Sequence, residues 1–368
     1  MASNNQEFYR GKRKKTGPSL IITIIVLAVI AFVVLLFYGL QKYIVITNDG
    51  LSLELPILAD EGETQVDEEG NISRVFETVD AELEIGEPDY SNVKAIAGDN
   101  LSELKAVHVP AASVTADGVD RYLSATPDAN AVLLDVKTVT GMLVWESDTD
   151  IAKGYGANGT VDLKSIVSSL KERDIYVAVR MCCFVDNTIA SRYAQLALRT
   201  SAGQAYSDAN GAWLDPTNAL VRGYICDLCR ELSKMGVDEI VLLGMRMPDA
   251  EGVQFASSSS SSAESTPVTA ISGFAISASR NLRSMSAKLS VQVTSQAAME
   301  SGLDSVTGQN AELFFKVFDR VYYSAEAGSA AGTVSAAERY VELGDVNMRL
   351  VPMCSGTAPE TTSWVLME

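Results

Sequence analysis

Hydrophobic and polar positions divide the chain into successive regimes. From Ser19 to Leu40 runs an uncharged stretch of twenty-two residues, SLIITIIVLAVIAFVVLLFYGL. As a helix rising about 1.5 Å per residue, it is long enough to cross a hydrocarbon core of roughly 30 Å. Next, KYIVITNDGLSLELP alternates apolar and polar positions around Asn48-Asp49-Gly50, which predicts a β-hairpin over residues 42–58. Residues 59–103 are largely polar; their acidic part, 59–92, has no apolar period and reads as a solvated linker, at least partly disordered.

From Leu104 a new rhythm begins. Short apolar or β-branched runs recur as KAVHVPA, NAVLLDVK, IYVAVRMCCF, GAWLD, DEIVLLGMR, LSVQVTS, RVYYSA and MRLVPMC. Between most of them lie helical patterns at 117–126, 161–173, 188–199, 217–235, 268–287, 309–317 and 333–343. In the second of these, apolar residues 163, 166, 167 and 170 share a face, and Thr160 or Asp162 can cap the helix. Eight strands alternating with helices predict an α/β fold, a (β/α)8 TIM-like barrel over residues 104–368. An open doubly wound sheet is the alternative, disfavoured because no glycine-rich phosphate loop follows the first strand. The run Ser257–Ser262 then falls in the loop after the predicted fifth strand.

Charge sharpens the picture of the N-terminal third. Residues 1–18 carry Arg10, Lys12, Arg13, Lys14 and Lys15 against Glu7, whereas residues 49–90 carry fourteen acids against Arg74 alone. Basic residues before an apolar span and acids after it predict a cytoplasmic N-terminal tail (1–18) and a signal anchor (19–41). The remaining nine-tenths of the chain would then lie outside the membrane. A cleaved signal peptide is the rival reading. Against it, the apolar run exceeds a typical signal core and no small-x-small site follows. The net charge of −18 excludes a nucleic-acid partner, because phosphate neutralisation needs clustered Lys and Arg.

The five cysteines are too few for so large a chain, and odd in number, so no disulfide framework is expected. Cys226 and Cys229 fall on one face of a predicted helix, where packing is favoured over redox or metal chemistry. His108 is the single histidine, so no zinc site, and no cofactor, is expected.

At NAVLLDVKTVTGMLVW the sequence begins to resemble the putative glycoside hydrolase domain found in bacterial, mostly Gram-positive, membrane-associated or secreted proteins. The first motif is carried by Asn130, Ala131, Asp135, Lys137 and Gly141. Arg180, Phe184 and Asp186 match the next, then Trp213, Asp215 and Pro216. Tyr224, Glu231, Gly236, Asp238, Glu239 and Ile240 follow, and the resemblance spans roughly residues 104–354. It implies a TIM barrel acting on a polysaccharide. One departure matters. Where the family pattern has Gln-Phe-Asp-Tyr at a strand end, this chain has Val241-Leu242-Leu243-Gly244, while Arg246 and Pro248 remain.

Functional groups of such barrels gather at the C-terminal ends of the strands. The candidate catalytic carboxyls are Asp135, Asp215 and Glu326. Lys137, Arg180, Phe184, Asp186, Trp213 and Arg246 are the candidate substrate-binding residues. Asp135 and Lys137, two apart on one strand, are expected on the same side and in one ion network with Arg180. Trp213 could stack on a sugar or pack in the core, and Asp215 could shape the turn before Pro216. Asp238 and Glu239 begin their strand, at the opposite end from any catalysis. Two readings stay open: a membrane-anchored glycosidase of envelope or extracellular polysaccharide, or a barrel that lost its acid at Leu243 and binds carbohydrate or serves as a scaffold.

Overall fold

The computed structural model describes residues 44–47, 50–53, 64–66, 72–74, 90, 93–256 and 266–367. The predicted tail and signal anchor lie outside the described residues, as does the Ser257–Ser262 run. Among the described residues no helix is long and apolar enough to cross a membrane. Contacts divide the chain into two units, 1–83 and 84–368.

In the first unit, Ile44–Thr47 pairs antiparallel with Gly50–Leu53, with Thr47 opposite Gly50. A second short antiparallel pair, Thr64–Val66 with Ile72–Arg74, lies within the segment read as linker.

The second unit is a closed barrel of eight parallel strands. In chain order these are β1 (Lys105–Val109), β2 (Ala131–Lys137), β3 (Tyr176–Cys182), β4 (Glu239–Leu243), β5 (Lys288–Val293), β6 (Val321–Ser324), β7 (Leu350–Ser355) and β8 (Trp364–Met367). The main outer helices are α1 (Ala116–Ala125), α2 (Leu163–Lys171), α3 (Ala219–Lys234), α4 (Pro267–Asn281), α5 (Gln296–Ser301), α6 (Ala311–Val317) and α7 (Ala330–Ala337). Their starts follow the sequence. Thr115, Asp162, Asn218 and Thr266 each accept a hydrogen bond from a backbone N–H of the first turn.

The strand count of eight matches the sequence reading, but the identity of one strand differs: one expected run is absent from the barrel and an unexpected one takes its place. GAWLD does not enter the barrel. Gly211–Ala212 forms a small ribbon with Ser207–Asp208, and Trp213 and Leu214 bridge antiparallel to Val185 and Ala197. The place beside β3 belongs to Glu239–Leu243, in parallel register from Glu239↔Ala178 to Leu243↔Cys182. EIVLL supplies five ladder positions, whereas GAWLD, ending at Asp215-Pro216, stays outside the ladder. The eighth place is filled by Trp364–Met367, which closes the barrel onto β1. Leu243 therefore ends β4, not a fifth strand.

Alternation along the strands separates two apolar layers. Ala106, Leu133, Ala178, Val241, Tyr322, Met353 and Val365 fill the interior. Their neighbours in sequence, such as Val107, Leu134, Val179 and Leu242, pack outward against the helices. Removing these side chains from water is the main stabilising term, at about 25 cal/mol per Å² of apolar surface. The N-terminal end is closed by a buried charge. Glu239 accepts from Tyr176 Oη at 2.9 Å and Tyr322 Oη at 2.8 Å, and pairs with Arg320. The placement of Glu239 at the non-catalytic end is as its sequence position implies.

Candidate functional site at the barrel mouth

At the C-terminal end of the interior, β1, β2, β3 and β5 each contribute one polar side chain to a single cluster. Arg180 donates from Nε to Asp135 Oδ1 at 2.6 Å and from Nη2 to Asp135 Oδ2 at 2.9 Å. Its Nη1 donates to Gln292 Oε1 at 3.1 Å. His108 Nε2 lies 2.9 Å from both Asp135 Oδ2 and Arg180 Nη2. A guanidinium can only donate, so His108 either accepts from Arg180 or, in the other tautomer, donates to Asp135. The ladder makes this cluster: Asp135 stands directly beside Arg180 in register.

Burial pushes the Asp135 carboxyl toward the neutral form. The hydrogen bonds from His108 and Arg180 and the guanidinium charge outweigh it, and hold the group below its ordinary value. The Asp135 side chain remains 18% exposed, facing the mouth. His108 and Gln292 were not among the residues singled out for the site. Their signal was parity: each stands two residues beyond an inward-facing position on its strand, or on the inward side of it, near the C-terminal end.

Lys137 is not in this cluster. A β-bulge interrupts β2, so that Asp135 pairs with Arg180 but Lys137 pairs with Met181. One extra residue reverses the side on which the next side chain emerges. Lys137 is consequently buried, donating to Cys182 O at 2.9 Å and lying 2.8 Å from Asp186 Oδ2. That Asp186 oxygen has no well-aligned hydrogen bond, so the contact is chiefly ionic. Burial opposes the ammonium charge, but Asp186 more than compensates and raises the lysine's pKa. The expected single network is thus two separate ones.

The remaining sequence candidates are placed as follows. Asp186 is fully buried, caps the turn Asn187–Ala190 through Ile189 N at 2.9 Å, and touches Gly141, whose φ of +87° and lack of a Cβ leave room for it. Asp215 is also fully buried. It accepts from Thr217 N at 2.8 Å, Thr217 Oγ1 at 2.6 Å and Ala256 N at 2.7 Å, which fixes the turn before α3. Trp213 and Phe184 are buried too; Phe184 packs edge-on to Phe274, and Arg246 lies 5.0 Å over the Trp213 ring. Neither ring offers a face to a sugar. Arg246 itself is half-buried just beyond β4.

Leu243 continues the inward parity of Glu239 and Val241, and packs half-buried against the apolar layer. Gly244 follows with φ +65°, and a Cβ there would press on Cys182 Sγ at 3.1 Å. Of the inward-facing positions in the C-terminal halves of the strands, only Asp135 bears a carboxylate among the described residues.

A cavity of about 880 Å³ at this end does not include Asp135 in its lining. It lies to one side, against the ends of β5 and β6 and helices α5 and α7, with Thr294, Glu300, Ser324, Glu326 and Arg339 on its walls. Glu326 is exposed there, beyond β6. The chemistry of Asp135 and the volume able to hold a ligand are therefore distinct features of the same end. The polar cluster defines the floor, and the cavity is the place with room. Among the described residues, no group of three or more His, Cys, Asp or Glu side chains could hold a metal ion.

The fold is shared with solved structures. The glycoside hydrolase domain of PgaB (BpsB) from Bordetella bronchiseptica matches with a TM-score of 0.50 at 11% identity, over 72% of this chain and 94% of that one. A hypothetical protein from Ruminiclostridium thermocellum matches at 0.45 and 23% identity, over 50% of this chain and 96% of its own. Ega3 from Aspergillus fumigatus, solved in complex with galactosamine, matches at 0.42 and 9% identity, over 71% of this chain and 81% of its own. No curated protein matches the chain. The family described as a putative glycosyl hydrolase domain matches residues 106–323, from β1 to β6 and more than half of the sequence, and the chain belongs to that family.

Proposed function

We propose that this protein is a membrane-anchored barrel of the glycosyl hydrolase type that binds an envelope or extracellular polysaccharide outside the membrane without cleaving it. The observation that carries this reading is the state of Asp135. Two-carboxyl hydrolysis needs one group that donates a proton and another that acts as nucleophile or base. Asp135 is gripped by Arg180 and His108 and held ionised, which unfits it as the proton donor. Asp186 and Asp215 are sealed from the mouth. At the end of β4, where the family pattern has an acid, Leu243 can neither carry a proton nor stabilise a developing cation. Loss of a general acid typically costs about two to four orders of magnitude in rate. The family membership supports a glycan as the ligand. The uncharged stretch Ser19–Leu40, with basic residues before and acids after, supports the anchor and the outward orientation of the barrel.

The test is direct. The full chain, purified in detergent, is presented with a panel of polysaccharides and oligosaccharides, and both retention and released reducing ends are measured. Saturable binding with reducing ends at buffer level is the expected result. Turnover that disappears in Asp135→Asn would overturn the proposal.

One observation favours hydrolysis instead. Glu326 carries a carboxylate with no hydrogen-bond partner among the described residues, on the wall of the cavity beside the mouth. In that reading Asp135 is the nucleophile or base and Glu326 the acid. Turnover abolished equally by Asp135→Asn and Glu326→Gln would establish it.

A further inference from the structure

We propose that the cavity beside the mouth, between the loops after β5 and β6, is the glycan subsite, and that it takes a neutral, hydroxyl-rich segment of two or more sugar units lying across the rim. This deepens the carbohydrate-binding reading and rests on it.

The argument begins with volume. At about 880 Å³ the cavity lies within the roughly 300–1,000 Å³ typical of small-molecule sites. Its walls are already fixed. Gln309, fully buried, accepts from Thr294 N at 3.0 Å and Ser295 N at 2.9 Å, and donates to Met245 O at 3.4 Å. Ser295 Oγ donates to Asp304 Oδ2 at 2.6 Å. The loop after β5 is thereby tied to the segment after β4, and a ligand would meet a formed surface with little ordering cost.

The chemistry of the open groups then selects the ligand. Glu326 offers acceptor oxygens with no partner among the described residues. Glu300 accepts from Gln296 Nε2 at 2.6 Å through one oxygen and has the other available. Facing the same space, Arg339 is anchored through Nη2 to Glu300 O and to Tyr340 Oη, and lies 4.7 Å over the Tyr340 ring. Its Nη1 and Nε have no hydrogen-bond partner among the described residues. Vicinal hydroxyls both donate and accept, so one diol can give to Glu326 while another accepts from Arg339. A polyanion would meet two carboxylates, whereas a polycation would meet Arg339 beside them, which the glucosamine oligomers in the titration test. A neutral chain satisfies both signs without leaving a charge opposed.

The experiment uses the full chain in detergent and isothermal titration with neutral cello-, malto-, laminari- and N-acetylchito-oligosaccharides of three to six units. Glucosamine and galacturonate oligomers serve as charged counterparts. The parent is expected to bind a neutral series at least tenfold tighter than either charged series. Glu326→Gln and Arg339→Gln are each expected to weaken that binding at least tenfold, with unchanged thermal unfolding. Because both residues are exposed, folding survives their replacement. Parent-like affinity in both variants would overturn the cleft assignment while leaving carbohydrate binding intact. Preference for a charged series would overturn the ligand class. Absence of binding by the parent to every oligosaccharide would overturn this inference together with the carbohydrate-binding reading.

Discussion

Arg180 holds Asp135 by two parallel hydrogen bonds, 2.6 Å from Nε and 2.9 Å from Nη2, across adjacent strands at the mouth of the barrel. The arrangement is bidentate, partly buried and braced by His108 and Gln292. Removing the carboxylate leaves a cation that is 8% exposed without its partner. Asp135→Asn is therefore expected to destabilise the barrel by about 2–3 kcal/mol, somewhat less than a fully buried pair because water reaches the site. Urea denaturation followed by intrinsic fluorescence measures this. The pH dependence has a fixed sign. Since the folded carboxyl lies below its ordinary 3.8, its contribution is complete above that value and fades as pH falls through the depressed one. The acid limb of the stability profile should flatten in the variant.

Lys137 and Asp186 form the second, sealed pair. Lys137→Met alone strands a buried carboxylate, and Asp186→Asn alone strands a buried ammonium; each should cost about 3–5 kcal/mol. The double variant should be less destabilised than the sum of the two, with a coupling of about 1–3 kcal/mol. Additive losses in a double-mutant cycle would contradict the pairing and return Lys137 to the mouth.

All five cysteines are buried and free, and burial pushes the Cys183 and Cys229 thiols well up. A thiol reagent added to native protein at neutral pH should label almost nothing within minutes, and five groups after denaturation. Rapid native labelling would show that the packing of α3 against β3 is looser than described.

The proposed outward orientation of the barrel makes a prediction of its own. Protease added to intact protoplasts should digest the domain beginning near residue 104 and spare the basic tail. Full protection of the barrel would place it inside the cell and remove the polysaccharide from reach.

Much of the architecture was legible because it is written in periodicity. Apolar strand runs and capped amphipathic helices gave seven of the eight barrel strands, and Asp162 caps its helix at the expected place. The identity of one strand was not legible. GAWLD looks like a strand but stays in a ribbon outside the barrel, and the eighth place goes to Trp364–Met367, which only the register with β1 reveals. Lys137 was misplaced for a related reason: strict alternation forecasts the same side as Asp135, and a bulge, which leaves no mark in composition, reverses it. The family motifs report largely on framework. Asn130 ties the starts of β1 and β2 by accepting from Lys105 N at 2.8 Å, and Glu231 accepts from Trp145 Nε1 at 3.2 Å. His108 and Gln292 entered the site without a motif, through strand geometry alone.

The most direct test of the account is mass spectrometry of an oligosaccharide recovered after prolonged incubation with saturating full-length protein, alongside calorimetric proof that it was bound. The account predicts saturable heat and a ligand recovered at its original length, with Asp135→Asn behaving alike. Shortened products formed by the parent and absent with Asp135→Asn would contradict it.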